Sequence, residues 1–234
     1  MTKLLEKILR PLDYIYVLRP SLFFAVWIIT LAGYEAGHLH YTGTSTWFNL
    51  NLNLLVLFNF FLITLSTGGV FIFNQLQDVE SDKENNKCFL ISDNYITVEF
   101  AKKYGWILAI GPLVLFLFID IKIFILMALL QVLWSYVYNY PPFQWKDKPV
   151  FGVLANLLAG VILFLAGWQM SGEITLIALN KFYPYLCAWG AVSILTTIPD
   201  IDGDKKQTKQ TIAIWLGRKA TVWITLIAVL VGFL

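Results

Sequence analysis

Two ten-residue stretches of the chain place carboxylates and lysines at matched spacing. Asp78-Val-Glu-Ser-Asp82-Lys83-Glu-Asn-Asn-Lys87 aligns without gaps to Asp200-Ile-Asp-Gly-Asp204-Lys205-Lys-Gln-Thr-Lys209, at a fixed offset of 122. Acid matches acid at three positions and lysine matches lysine at two. Four residues before each first aspartate stands another polar side chain, Asn74 in one copy and Thr196 in the other. On a helix that continues past each apolar span, Asn74, Asp78 and Asp82 would stack along one face, and Thr196, Asp200 and Asp204 would repeat the spacing. Like charges at i, i+4 destabilise a bare helix by about 0.2–0.5 kcal/mol, and an aspartate near a bilayer centre costs about 2.5–3.5 kcal/mol. A cation must offset this. Mg²⁺ does so with one or two carboxylates, retained waters and substrate phosphate oxygens. With Lys83, Lys87, Lys205 and Lys209 beside the acids, the chemistry is that of a Mg²⁺-diphosphate site, metals bridging acid to acid and ammonium groups neutralising the remaining oxygens. Asn74, Asp78, Asp82, Asp200 and Asp204 are the expected metal ligands and catalytic residues. Glu80 and Asp202 also recur but point off the aspartate face, and Glu84, Asp93, Asp147 and Lys148 read as solvated loop charges.

The elements that position these residues are membrane helices. Of the chain's 234 residues 58% are hydrophobic and only 14% charged, a balance outside that of soluble domains. Apolar runs place helices near 21–37, 52–75, 104–119, 121–138, 150–170, 177–197 and 220–234, with Asp120-Ile-Lys122 splitting one overlong run into a tight hairpin. The expected fold is an all-α, multi-span transmembrane bundle of seven spans. It divides into two pseudo-repeats of four helices, about 1–140 and 141–234, the second incomplete. Fifteen residues after Lys219 span only about 22 Å, short of a bilayer core of about 30 Å, so the chain reads as a fragment lacking at least one carboxy-terminal helix. Fifteen of the 17 Lys and Arg residues fall in the amino-terminal segment and the even-numbered loops. By the positive-inside rule both acidic stretches then face the cytoplasm, in a bacterial or archaeal inner membrane.

Other features are read more plainly. Residues 1–20 carry four basic residues among leucines and isoleucines, the pattern of an interfacial amphipathic helix rather than a cleaved signal. Cys88 and Cys187 form no CxxC pattern and predict neither disulfide nor zinc site. His38 and His40 belong to an outer loop without further metal ligands, and Pro112 predicts a kink inside a span.

On these residues the chain resembles the UbiA superfamily of intramembrane prenyltransferases. The family motif NxxxDxxxD is matched by Asn74, Asp78 and Asp82, and the second motif, DxxxD, by Asp200 and Asp204. Between them, Tyr138-Asn-Tyr140-Pro141-Pro142-Phe-Gln-Trp-Lys146 resembles the family's Tyr-Pro-Pro-Lys stretch. Where many members follow the first motif with Arg-Pro-Ile, this chain reads Lys87-Cys-Phe-Leu-Ile-Ser92, so a phosphate-binding arginine has no counterpart. Members commonly have about nine helices, in keeping with a truncated second repeat. Asn74-Gln-Leu-Gln-Asp78 and Pro199-Asp-Ile-Asp-Gly-Asp204-Lys205 are similar to the homogentisate-type branch.

The resemblance implies a Mg²⁺-dependent transferase, of the class moving alkyl groups other than methyl. It would pass a polyprenyl group from a polyprenyl diphosphate to an aromatic, quinone-precursor-like acceptor within the membrane lipid, with no nucleic-acid partner. Tyr138 and Tyr140 then become candidates to hold the diphosphate or support an allylic cation, Lys146 a phosphate ligand, and Arg19 a contact to either substrate. Duplicated halves with intramembrane acids also characterise secondary transporters and cation channels, whose sites usually lie near the midplane. A third expectation is a catalytically silent partner subunit.

Overall fold

The computed structural model describes residues 10–45, 53–84, 87–206, 209–232 and 234. Among them there is helix and no strand. Seven long helices follow the seven apolar runs: α1 Pro20–Thr42, α2 Leu54–Gln77, α3 Val98–Ile119, α4 Ile121–Val137, α5 Pro149–Gln169, α6 Leu176–Leu195 and α7 Arg218–Gly232. Four of them, α1, α2, α3 and α5, are long and apolar enough to cross a membrane by length and composition. Large apolar side chains on the outside, among them Leu54, Trp106, Ile107 and Phe118, are more than half exposed, which suits a lipid-facing surface rather than a watery one.

Local chemistry explains where the helices begin. The Asn53 side chain accepts from Val56 N and starts α2; Thr97 accepts from Phe100 N and starts α3. Pro20 and Pro149 sit in the first turns of α1 and α5, where a missing N–H costs nothing. Asp120 both ends α3 and caps α4, accepting from Lys122 N and Ile123 N, so the expected hairpin closes at that residue. The α3 helix runs unbroken through Pro112. The last two turns of α4, Gln131–Val137, widen to π geometry, a local bulge that often turns side chains toward a site.

Two sequence expectations differ from the structure. The aspartates do not continue the spans as unbroken helices: α2 ends at Gln77, α6 ends at Leu195, and each is followed by a separate six-residue helix, Val79–Glu84 and Ile201–Lys206. Asp82 N donates to Asp78 O and Asp204 N to Asp200 O, while Lys87 N and Lys209 N donate to Asp82 O and Asp204 O. The two acidic stretches therefore fold alike, but as bends that peel away from the helix axis. His38 and His40 lie on α1 itself, which extends to Thr42, and the His40 ring packs 5.4 Å from Trp168. Of the amino-terminal amphipathic helix, residues 1–9 fall outside the described residues, and residues 10–16 are helical.

The bundle closes by backbone-to-backbone contact at glycines. A Cβ on Gly33 of α1 would lie 1.9 Å from Phe164 O, and one on Gly167 of α5 would lie 1.9 Å from Thr30 O. On the other flank, a Cβ on Gly69 of α2 would meet Gly105 O and Ala109 N of α3, each at 2.9 Å. Such small-residue crossings let helices pack by dispersion where lipid offers no hydrophobic drive. Between them lies a core of Leu62, Ile63, Phe116, Met127, Leu130, Leu163, Phe164 and Trp168. Two buried amides in the bundle are bonded across helices or segments: Gln131 Nε2 donates to Ser66 O and Oγ, and Gln75 Nε2 to Val17 O. Gly167→Leu is expected to force α1 and α5 apart and destabilise the fold by about 3 kcal/mol, the upper end for overpacking; thermal unfolding in detergent measures it against Gly111→Ala, whose Cβ would meet nothing within 4 Å.

Candidate functional site

The two acidic bends converge, together with the turn after α4, on a pocket of about 310 Å³ lined by both. Lys87, from the first stretch, pairs with Asp200 of the second. Asp78 is the hub. Its Oδ1 accepts from Lys146 Nζ at 2.7 Å and from Lys209 Nζ at 3.1 Å, and its Oδ2 accepts from Asn74 Nδ2 at 3.2 Å. Lys209 also lies 3.8 Å from Asp204 and donates to Ser81 Oγ. Asn74 Nδ2 further donates to Asn139 Oδ1 at 2.9 Å, and its own Oδ1 accepts from Arg19 Nη1 at 3.4 Å. Asn139 is in turn fixed by donating to Trp134 O.

Of the residues singled out in the sequence, Arg19, Asn74, Asp78, Asp82, Lys87, Tyr138, Lys146, Asp200, Asp204 and Lys209 line this pocket. Lys83, Lys205 and Tyr140 do not. Lys83 and Lys205 are exposed, since on a short helix the residue after each inward aspartate points about 100° away from it. Tyr140 stacks instead on Tyr136, ring centroids 6.2 Å apart. Glu80 and Asp202 are exposed as well. Asp147, read as a solvated loop charge, lines the pocket and is the clearest residue that sequence reasoning missed. Its position next to Lys146 was the available signal. Asn139, Asn156, Trp134 and Phe71 are further lining residues that polar or aromatic type alone did not distinguish.

Five carboxylates and four basic side chains face this space. Burial, and then the nearby Asp78 charge, raise the pKa of Asp82 above the ordinary carboxylate value; Arg19 and a hydrogen bond from Cys88 partly counter this. Burial raises Asp204 too, with Lys209 pulling it down and Asp78 and Asp147 pushing it up. Burial works against the charge of Lys209, but Asp78, Asp204 and Asp147 together outweigh it and its pKa is raised. Crowded carboxylates that resist ionisation, with hard oxygen donors on two facing bends, fit a divalent cation better than they fit one another. Among the described residues no three such groups form a ready ligand cluster; ammonium groups of this chain are bonded to Asp78 and Asp200 instead. A second, mostly apolar cavity of about 530 Å³ shares Arg19 with the first and is lined also by Leu12, Asp13, Tyr16, Gln75, Cys88, Phe89 and Leu90.

Removing Asp78 leaves two largely buried ammonium groups without their common partner, Lys146 at 7% and Lys209 at 15% side-chain exposure. Asp78→Ala is therefore expected to destabilise the protein by about 3–5 kcal/mol. Asp200→Ala breaks a pair whose side chains are 35% and 41% exposed and is expected to cost about 1 kcal/mol or less. Chemical unfolding of both variants in detergent measures the difference.

Residues 21–234 match the model of the UbiA prenyltransferase family. The chain is 30% identical over 178 residues to digeranylgeranylglyceryl phosphate synthase of Methanocaldococcus jannaschii, a match covering 76% of this chain and 60% of that protein. It is 27% identical to 2-acylphloroglucinol 4-prenyltransferase of Humulus lupulus over 65% of this chain and 38% of that one. The chain thus spans about three fifths of the archaeal relative's length. In fold it is similar to the structure of a UbiA homolog from Archaeoglobus fulgidus bound to GPP and Mg²⁺, with TM-score 0.73, 22% identity, and coverage of 94% of this chain and 75% of that one. A structure of digeranylgeranylglyceryl phosphate synthase gives TM-score 0.69 at 23% identity, over 95% and 75% of the two chains.

Proposed function

The chain belongs to the UbiA prenyltransferase family, and from that premise we propose that it transfers a prenyl group from a Mg²⁺-bound polyprenyl diphosphate to an aromatic acceptor inside the membrane. The observation that carries this reading is the joining of both acidic bends in one pocket, where Lys87 of one bonds Asp200 of the other and Lys209 bonds Asp78. Membrane-spanning length in four helices and family membership support an integral membrane protein, and the lysine and arginine distribution supports a site at the cytoplasmic face. Asn74, Asp78, Asp82, Asp200 and Asp204 would hold Mg²⁺. When bound, the metal would neutralise diphosphate oxygens and so assist departure of the leaving group.

The chain's own residues divide the remaining work. In the reaction the allylic C–O bond breaks, its electron pair leaves with the diphosphate, and the acceptor carbon bonds the allylic carbon and then gives up a proton. Lys146, Lys209 and Lys87 would follow the growing negative charge of the diphosphate, exchanging their aspartate partners for phosphate oxygens. The faces of Phe71, Trp134 and Tyr138, which line the pocket, would meet the developing allylic cation. Trp134 Nε1 donates to Asn156 Oδ1, and Asn156 Nδ2 to Ser193 Oγ, which holds the indole in place before any substrate arrives. The apolar cavity beside Arg19 has the size and lining for an aromatic acceptor, with Tyr16 and Phe89 as ring partners.

A second acceptor class, a glyceryl phosphate, is favoured by one observation, the name carried by three archaeal relatives. Purified chain supplied with geranylgeranyl diphosphate, Mg²⁺ and either an aromatic acid or a geranylgeranylglyceryl phosphate is expected to prenylate the former; mass spectrometry of the lipid products decides. Asp78→Asn and Asp200→Asn are expected to lower turnover at least about a hundredfold, as loss of transition-state charge stabilisation does elsewhere. Turnover within about tenfold of the unmodified protein in both variants would sink the assignment, and Mg²⁺ flux into vesicles without prenyl transfer would point to a transporter.

A further inference from the structure

Among the described residues, two polar atoms in the wall of the pocket have no hydrogen-bond partner. Asp147 ends the single turn Trp145–Asp147. Its Oδ2 accepts from Gln144 Nε2 at 2.6 Å, and its backbone oxygen accepts from Gln210 N at 3.1 Å, so it is tied to the chain just past the second acidic bend. Its Oδ1 is buried and bonded to nothing. Thr211, next to Gln210, is 8% exposed, and its Oγ1 is likewise buried without a partner. Both residues line the same pocket as Asp200, Asp204 and Lys209, and the Asp147 charge acts on Asp204 and Lys209.

A carboxylate oxygen can only accept. Leaving a buried one without a donor costs about 1–3 kcal/mol and more for a charged group, and its neighbour Asp204 adds repulsion. Lys209 does not relieve this, since its ammonium is already committed to Asp78, Asp204 and Ser81. Gln144 reaches the other oxygen only. What suits an unbonded acceptor and an unbonded hydroxyl in the wall of a pocket that also holds Asp200 and Asp204 is a shell of strongly polarised O–H donors, which is what the retained waters of Mg²⁺ present.

We propose that Asp147 and Thr211 are outer ligands of the divalent cation at the second acidic bend, gripping its hydration shell while Asp200 and Asp204 hold the ion. This rests on the reading of the pocket as a Mg²⁺-diphosphate site. Groups of this kind fix the orientation of the inner ligands, and their loss typically weakens metal affinity about 10–100-fold. Asp147 thereby acquires a function that its neighbour Lys148, which does not line the pocket, lacks.

The test measures the thermal shift of the purified chain in detergent as Mg²⁺ is titrated in the presence of geranyl S-thiolodiphosphate, a slow-leaving diphosphate analogue. Asp147→Asn and Thr211→Val are each expected to raise the half-saturating Mg²⁺ concentration roughly tenfold, while the melting temperature without Mg²⁺ stays within a few degrees and Thr211→Ser restores the unmodified value. A merely structural role would lower the Mg²⁺-free melting temperature and leave the half-saturation point in place. A change smaller than about twofold in either variant overturns the proposal. If Asp147→Asn does not fold, the Thr211→Val and Thr211→Ser pair decides alone. A failure of the unmodified chain to respond to Mg²⁺ would instead overturn the reading of the pocket, and this proposal with it.

Discussion

The structure depends on how carboxylates are paired where helices leave an apolar bundle. Asp78 stands at the end of α2, 16% exposed, and is held there by ammonium groups brought from 68 and 131 residues away. Removing either side of this cluster would leave a largely buried charge short of its counter-ion. This mutual dependence ties three segments together: the first acidic bend, the turn after α4 and the second acidic bend. The same hub orders Asn74, and through it Arg19 and Asn139, so the positions of the other pocket residues follow from it.

Under the proposed function the hub would also explain how the pocket exchanges partners. A lysine bonded to an aspartate satisfies both, but a diphosphate with its cations offers each a better-matched partner: oxygen anions for the ammonium groups and a hard metal for the carboxylates. Under the proposed function, substrate arrival would replace internal ion pairs rather than expose bare charge. This limits the desolvation cost at the moment of binding. The π-widened end of α4 serves the same end of the molecule, placing Trp134 in the pocket and leading directly to Tyr138 and Asn139.

The helices contribute rigidity through close crossings. Gly33 against Phe164 and Gly167 against Thr30 bring α1 and α5 into backbone contact, while Gly69 brings α2 against α3. Arg19 at the foot of α1 and Asn74 near the end of α2, one on each of these helix pairs, meet at 3.4 Å. A site assembled from bends and turns thereby inherits its geometry from elements that can hardly shift.

How much of this was legible in the sequence differs by residue. Seven apolar runs give the seven long helices, because hydrophobic length is a local property, but α1 runs on to Thr42 and α3 begins at Val98, each more than a turn beyond its apolar run. Asp120 marked the α3–α4 hairpin, and the matched acidic stretches identified Asp78, Asp82, Asp200 and Asp204 as pocket residues, since a repeat at fixed offset is visible without any fold. The break after Gln77 was not visible, because i, i+4 spacing cannot distinguish a continuous helix from a bend followed by a new one. Nor was Asp147, whose place in the pocket is set by a backbone bond to Gln210 N, or Tyr140, drawn off by Tyr136. Sequence alone determined which residues carry the charge and which segments lie in the apolar bundle, both matters of composition and spacing. Only the tertiary structure decided which lysine meets which aspartate, because those distances come from how α1, α2, α4 and α5 cross, and packing at that range leaves no periodic trace in the chain.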